Sequence, residues 1–272
     1  MLPASAFEAL AQDYDRQFTD TFMGRLFRQA VWSRLEAAFR PGDRVLELNC
    51  GTGEDAIFLA RRGVQVVATD NSLTMLQVAQ DKVRRAGLVA AIMVRNLDIG
   101  NLAGGLDFSA RLALPESWER KPQLDGAFSN FGGLNCLADL PGVARGLASC
   151  LRSGATLVLC LMGRWVPWEW AWFLWRRQPA KAFRRFHAGG AWWRGLRIYY
   201  PGIGTVRQAF APFFHLRRLS ALGVLLPPPY VEPWAIRHRR LIVFLNRWER
   251  RLEALPPLPW LADHYLLEWE RW

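Results

Sequence analysis

Cysteine is scarce in this chain. Its 272 residues hold four, Cys50, Cys136, Cys150 and Cys160, widely spaced and without a C-x-x-C pair. That spacing argues against a zinc site and against a disulfide framework. Histidine is equally sparse, at His187, His215, His238 and His264, and no metal-ligand cluster or nucleophile motif is visible. Met1-Leu2-Pro3-Ala4 lacks a basic region followed by an apolar core, so no signal peptide is read. A cytoplasmic, possibly membrane-peripheral location is the expectation. No internal repeat and no linker divide the chain, which predicts a single domain over residues 1–272. Acids are outnumbered, 24 Asp and Glu against 35 Lys and Arg, for a net charge of +11. That excess invites an anionic partner, whether nucleic acid, membrane surface or acidic substrate; a merely solvated basic surface is the alternative.

What is present begins with Val45-Leu46-Glu47-Leu48-Asn49-Cys50-Gly51-Thr52-Gly53. A short apolar run leads into a small-residue turn, and Ala56, Ile57, Leu59 and Ala60 follow at helical spacing. The pattern predicts strand, turn, helix. Glycine lets backbone approach a ligand closely, and a helix start offers unpaired N–H groups. A second strand over residues 64–69 ends in Asp70, 19 residues after Gly51. An acid about 20 residues on is where a βαβ nucleotide fold grips ribose hydroxyls.

Two families fit this geometry. Gly51-x-Gly53-x-x-Ala56 satisfies the dinucleotide fingerprint of NAD-dependent oxidoreductases. The whole stretch more closely resembles motif I of the class I S-adenosylmethionine (SAM) methyltransferases, with Glu47 as its acid and Gly51 and Gly53 as its last two glycines. Asn49 replaces the first glycine, and asparagine is among the few residues that tolerate left-handed backbone angles. The resemblance implies an α/β fold: a Rossmann-like, doubly wound sheet of seven mostly parallel strands with N-terminal helices, and SAM as cofactor. It implies cofactor contacts at Glu47, Asn49, Gly51, Gly53, Asp70 and Asn71. Asp98 would hold the adenine amino group, with Ile99 packed on the ring. Tyr14 resembles the tyrosine placed over the cofactor's methyl group; a core aromatic is the alternative. Arg25 and Arg28 are read as solvated helix positions that could instead reach the cofactor carboxylate.

Along the chain, residues 4–40 read as helical. Ser72 caps a helix running to Gly87, a third strand covers about residues 90–94, and residues 100–123 read as loop with a short helix. The fourth strand leads into Ser129-Asn130-Phe131, which should face methyl donor and acceptor beyond the carboxyl ends of the strands. A helix over residues 141–151, a Ser153-Gly154 turn and a strand over residues 155–161 follow. No Asn/Asp-Pro-Pro-Tyr/Phe motif for nucleobase amines occupies the loop after the fourth strand.

Residues 164–198 carry eight Lys and Arg against Glu169 alone, and twelve of fourteen tryptophans lie at or after Trp165. Residues 155–175 approach the length that spans a bilayer, but Arg164, Pro167 and Glu169 interrupt them, so strand then helix is expected. The segment 164–198 is predicted as a helical insertion after strand 5, a lid over an apolar pocket with contact to an anionic membrane, and with His187 as a candidate base. Strands at residues 215–226 and 262–269 and a basic helix at 233–255 complete the expectation. The predicted function is SAM-dependent methyl transfer, with catalysis at Asn130, Tyr14 and His187, to a small apolar or lipid-like acceptor. An RNA methyltransferase is the alternative on charge, though nucleic acid is the less expected partner; a nicotinamide oxidoreductase is the third. No metal is expected.

Overall fold

The computed structural model describes residues 5–8, 10–104, 123–187 and 189–272. The predicted loop and short helix at 100–123 lie largely outside the described residues. A short helix, α1 (Ser5–Glu8), and a π-helical turn (Asp15–Thr19) precede α2 (Phe22–Ala38). The N-terminal segment is therefore broken, where the sequence suggested one helical run. Thr21 caps α2 by accepting the Gly24 N–H at 2.9 Å. The Glu232 carboxylate accepts the Phe22 and Met23 N–H groups at 2.6 and 2.9 Å, satisfying donors that a helix start leaves open.

From there the chain alternates: β1 (Arg44–Leu48), α3 (Glu54–Ala60), β2 (Gln65–Asp70), α4 (Leu73–Arg85), β3 (Ile92–Asn96), β4 (Leu124–Ser129), α5 (Leu140–Cys150) and β5 (Leu151–Met162). Ser72 caps α4 through the Met75 N–H. The expected turn at Ser153-Gly154 is absorbed into β5 as an irregularity. Gly154 takes a left-handed φ of 74° there, where pairing with β4 shifts register.

After β5 come α6 (Pro167–Trp175), α7 (Pro179–Ala182), a 3-10 turn (Arg184–Phe186), β6 (Ala191–Trp193) and β7 (Leu196–Ile198). The segment 164–198 is thus helical only in its first part. Its end is an antiparallel hairpin closed by Arg194 and Gly195, both at positive φ as a tight hairpin turn requires. Then α8 (Ile203–Phe210), β8 (Phe214–Leu222), α9 (Glu232–Arg237), α10 (Arg239–Leu252) and β9 (His264–Arg271) close the chain. The expected helix at 233–255 is two helices, divided at His238.

The main sheet has seven strands in the order β3-β2-β1-β4-β5-β9-β8. Only β9 runs against the others, pairing antiparallel with β5 and β8. Both faces of the sheet are covered, which is why its strands read as near-continuous apolar runs. Leu46, Leu48, Val67, Leu157, Leu159 and Leu161 point into a core beneath α5 and α8. Their alternates Val45, Val66, Ala68, Val158 and Cys160 pack against α2 and α3 on the other face. The two-residue period of a strand sends successive side chains to opposite layers. No described helix is long and apolar enough to cross a membrane.

Candidate active site

The carboxyl ends of β1, β2 and β4 open onto one cleft of about 500 Å³. Strand order reverses between β1 and β4, the place where such sheets leave a crevice. Eight predicted site residues line this cleft: Tyr14, Asn49, Gly51, Asp70, Asn71, Asp98, Ile99 and Asn130.

The β1 turn is built by three positive φ angles, 54° at Asn49, 53° at Gly51 and 79° at Gly53. Asn49 takes the left-handed conformation anticipated for it, and its side chain does further work. Its amide donates to the Asn130 carbonyl at 3.0 Å and accepts the Ser129 hydroxyl at 2.6 Å. The side chain thereby stitches the β1 turn to the β4 loop. Gly133 makes room for it, because a Cβ there would lie 1.9 Å from the Asn49 Cγ.

Asp70 braces the second edge. One carboxylate oxygen accepts the Gly51 N–H and the other the Ser72 N–H, both at 2.9 Å. Burial raises its pKa, against the pull of those N–H groups. Asn96 donates to the Asp70 and Asn71 carbonyls at 3.1 Å each, holding the β2 tip beside Asp98.

Three predicted cofactor residues stand behind this wall instead of lining it. Ser129 is fully buried and spends its hydroxyl on Asn49. Gly53 starts α3, where an added Cβ would come within 3.1 Å of the Ala79 Cβ on α4; its role is close helix packing. Glu47 is 2% exposed, and one of its carboxylate oxygens has no hydrogen-bond partner. Burial, reinforced by the charge of Asp55, holds its carboxyl well above the ordinary range. His187 is the clearest departure: it is exposed, follows the 3-10 turn and does not line the cleft. The 164–198 segment reaches the cleft with Arg184 and the hairpin, not with His187.

Sequence reading missed a buried network. Arg28, taken as a solvated position, is 5% exposed and lines the cleft. It donates to Asp55 at 2.6 Å and to the Thr19 hydroxyl at 3.1 Å. Asp55 also accepts the Trp32 indole N–H at 2.7 Å and the Asn130 amide at 2.9 Å. A carboxylate only accepts, so the Asn130 NH2 group must face it. That leaves the Asn130 Oδ1, buried and without a partner, at the cleft wall. Arg25 is exposed and caps no part of the site. The faint signal for Asp55 was its place in the first turn of α3, where an acid is also explained by the helix dipole.

Tyr14 enters from the N-terminal segment, which is pinned by Asp15. The Asp15 carboxylate accepts the Thr52 hydroxyl at 2.7 Å and Lys82 at 2.6 Å. Those bonds outweigh burial and lower the Asp15 pKa. Burial raises the Tyr14 phenol instead, although the nearby Arg28 charge opposes the shift.

Beyond Asn130 the cleft becomes apolar. Its far half is walled by Phe7, Phe131, Met162, Trp192, Trp193 and Tyr200, with Tyr230 at one side. The rings of Phe7 and Trp193 meet at 5.6 Å, so the N-terminal helix and the β6–β7 hairpin close over it together. The acids that line the cleft, Glu54, Asp55, Asp70 and Asp98, belong to its motif half, and no histidine lines it among the described residues.

Comparison with known proteins agrees with this geometry. Residues 45–154 match the family model of a methyltransferase domain. A 2-phytyl-1,4-naphtoquinone methyltransferase of Synechococcus elongatus is 33% identical over 165 residues, 58% of this chain and 62% of that protein. A demethylmenaquinone methyltransferase of Beutenbergia cavernae is 32% identical over 174 residues, 61% of each. The chain thus spans less than two thirds of the length of these curated relatives. Among solved structures, an S-adenosylmethionine-dependent methyltransferase from Mesorhizobium loti superposes with a TM-score of 0.55 at 18% identity, covering 89% of this chain and 98% of that one. Residues 45–154 are thus similar to a methyltransferase domain, and the fold matches that of a SAM-dependent methyltransferase.

Proposed function

We propose that this protein transfers the methyl group of SAM to a small, lipid-like acceptor, with a naphthoquinone-type ring as the first candidate. The observation that carries the reading is the continuity of the cleft: a nucleotide-type half at β1 and β2 opens directly into an aromatic-walled chamber. Apolar pockets with a few placed polar groups suit such ligands. The names of the relatives support the quinone class.

The residues present fit the cofactor. Asp70 is the acid for ribose, Asp98 and Ile99 flank the adenine position, and backbone at Gly51 borders open space, with nothing within 4 Å of an added Cβ. Arg28, which lines the cleft, is the cation we assign to the cofactor carboxylate. When bound, SAM supplies an activated methyl group on sulfur. This chain's residues then position and desolvate. Asn130 offers its free Oδ1 to orient the acceptor, and Tyr14 closes the site. The apolar half carries no carboxylate or histidine among its described lining residues, so an acceptor that is already electron-rich or ionised suits it best. The whole chain works as one unit in this reading, with the β6–β7 hairpin, more than the helices before it, as lid. Peripheral contact with an anionic membrane belongs to the same picture, because an acceptor of this kind resides in a bilayer.

Titration calorimetry with SAM and with NAD is the first test. Heat from NAD alone would remove the methyltransferase reading. Radiolabelled SAM with reduced naphthoquinones, then with apolar extracts and with RNA, identifies the acceptor. Label found only in RNA would overturn the lipid-like class.

A further inference from the structure

The tryptophans of α6 do not wall the cleft. Trp165 and Trp175 face outward, Trp175 at 75% exposed. Two further helices continue this surface. Trp168 of α6 meets Trp234 of α9 at 6.0 Å between ring centroids, and α9 passes straight into α10. On α10 the outward stripe is Leu241, Phe244 and Trp248, at 45%, 56% and 42% exposed. Their spacing of three and four residues puts them on one face of the helix. The opposite face is seated by Ile242 and by Glu249, which accepts the N–H groups of residues 223–226.

Charge on this surface has one sign. Arg176, Arg177, Arg240, Arg247 and Arg251 are exposed and pair with no described acid. The acids of these helices turn inward: Glu169 and Glu249 are buried, and Glu232 holds the start of α2. Arg176 lies over Trp172 at 4.3 Å and Arg251 over Trp248 at 5.5 Å. Exposed aromatics interleaved with unpaired arginines complement a surface that is apolar below and anionic above, which describes a bilayer with acidic headgroups.

The surface also adjoins the chamber. Phe173 of α6 touches Tyr230 at 5.3 Å, and Tyr230 lines the cleft. Arg184 lines it as well while forming an ion pair with Glu169 of α6 at 2.9 Å. Trp192, at the cleft's hairpin wall, is 72% exposed.

We propose that α6, α9 and α10 form one membrane-docking surface for an anionic bilayer, with α10 as its principal anchor and the acceptor chamber opening beside it. The docking surface is read independently of the cofactor; the delivery of acceptor through it rests on the proposed function. Flotation of the full chain tests it, using vesicles of phosphatidylcholine alone or mixed with phosphatidylglycerol. The chain should float with the mixed vesicles, lose them as salt rises, and stay behind with phosphatidylcholine. Each arginine near an anionic surface is worth about fivefold in partition, so Arg247→Ala with Arg251→Ala should weaken binding roughly 25-fold. Phe244→Ser with Trp248→Ser should abolish it. SAM titration on the same preparations should be unchanged, which shows that the variants fold. Equal recovery with both lipids, undiminished flotation of the α10 variants, or salt-sensitive binding to RNA without binding to vesicles would each overturn the proposal. So would a concentration-dependent dimer in sedimentation that the Phe244/Trp248 variant dissolves, since that assigns the face to a second copy. Flotation by a chain that fails to bind SAM would strike the proposed function and leave the surface standing.

Discussion

The buried pair Arg28–Asp55 offers the sharpest check on how the site is assembled. Its side chains are 6% and 4% exposed and 2.6 Å apart. At an effective dielectric of about 20, the direct attraction is roughly 6 kcal/mol. Desolvating the two charges costs several kcal/mol each, so the pair as a whole adds little net stability. Breaking it is different, because the remaining charge stays buried. Arg28→Met and Asp55→Asn should each destabilise by about 3–5 kcal/mol. For a chain of this size that lowers Tm by on the order of 10 °C. The double variant should cost less than the sum of the singles, because no unpaired charge remains. Urea unfolding of the four proteins measures the cycle, with calorimetry reading SAM affinity in parallel. Asp55→Asn should also disturb Asn130, whose amide it holds at 2.9 Å. Single costs below about 1 kcal/mol that simply add would refute the view that this network is a coupled, dry unit.

Asp70→Ala should weaken SAM on the order of tenfold to a hundredfold, through lost ribose bonding and freed Gly51 and Ser72 N–H groups; unchanged calorimetry would remove Asp70 from the site. Asn130→Ala and Tyr14→Phe should lower turnover far more than SAM affinity, by up to about a hundredfold where the acceptor is misplaced by an ångström. His187→Ala, at an exposed position, should change neither, and a large loss in turnover would return it to candidacy. Glu47→Gln should stabilise the fold above neutral pH. The Glu47 carboxyl is held well above its ordinary value by burial, so its contribution is present below the unfolded pKa and lost as pH rises toward the folded one. Thermal melts across pH should show wild type and variant diverging upward from about pH 5; parallel curves would refute it. Asp15 has the opposite sign. Its lowered pKa gives stability above about pH 4 that fades in acid, and Asp15→Asn should remove that slope.

The nucleotide half was legible because its signals are local. Gly51, Gly53 and Asp70 are fixed by turn geometry within a few dozen residues, and the strands carry a two-residue period that survives tertiary context. Even the substitution at Asn49 could be read, since left-handed backbone is a local property. The Arg28–Asp55–Asn130 network was not legible: its members lie 27 and 75 residues apart and meet only once α2, α3 and the β4 loop are packed. Arg28 sits on a helix whose apolar residues alone suggest which side is buried, and nothing local marks an arginine for the inside. The β6–β7 hairpin did have a signal. Arg194-Gly195 is a two-residue turn between short aromatic and aliphatic runs, but a strongly apolar helix just before it drew the whole segment into a helical reading.

The placement of the tryptophans changes how the acceptor half should be understood. A sequence in which most tryptophans follow β5 invites the idea that they all wall a pocket. The structure divides them by place: Trp192 and Trp193 line the cleft, while Trp165 and Trp175, at the two ends of the α6 segment, do not. A buried ion-pair network includes residues that lie between them in the chain. Glu169, fully buried, pairs with Arg184 and Arg185, and Arg185 reaches on to Asp263 at 2.6 Å. Breaking such a buried network by removing one member is costly. The network therefore ties α6, the Arg184–Phe186 turn and Asp263 into one corner, beside the chamber that Arg184 lines. A substrate chemistry that needs both a dry pocket and an anionic interface is the one that uses every part of this corner.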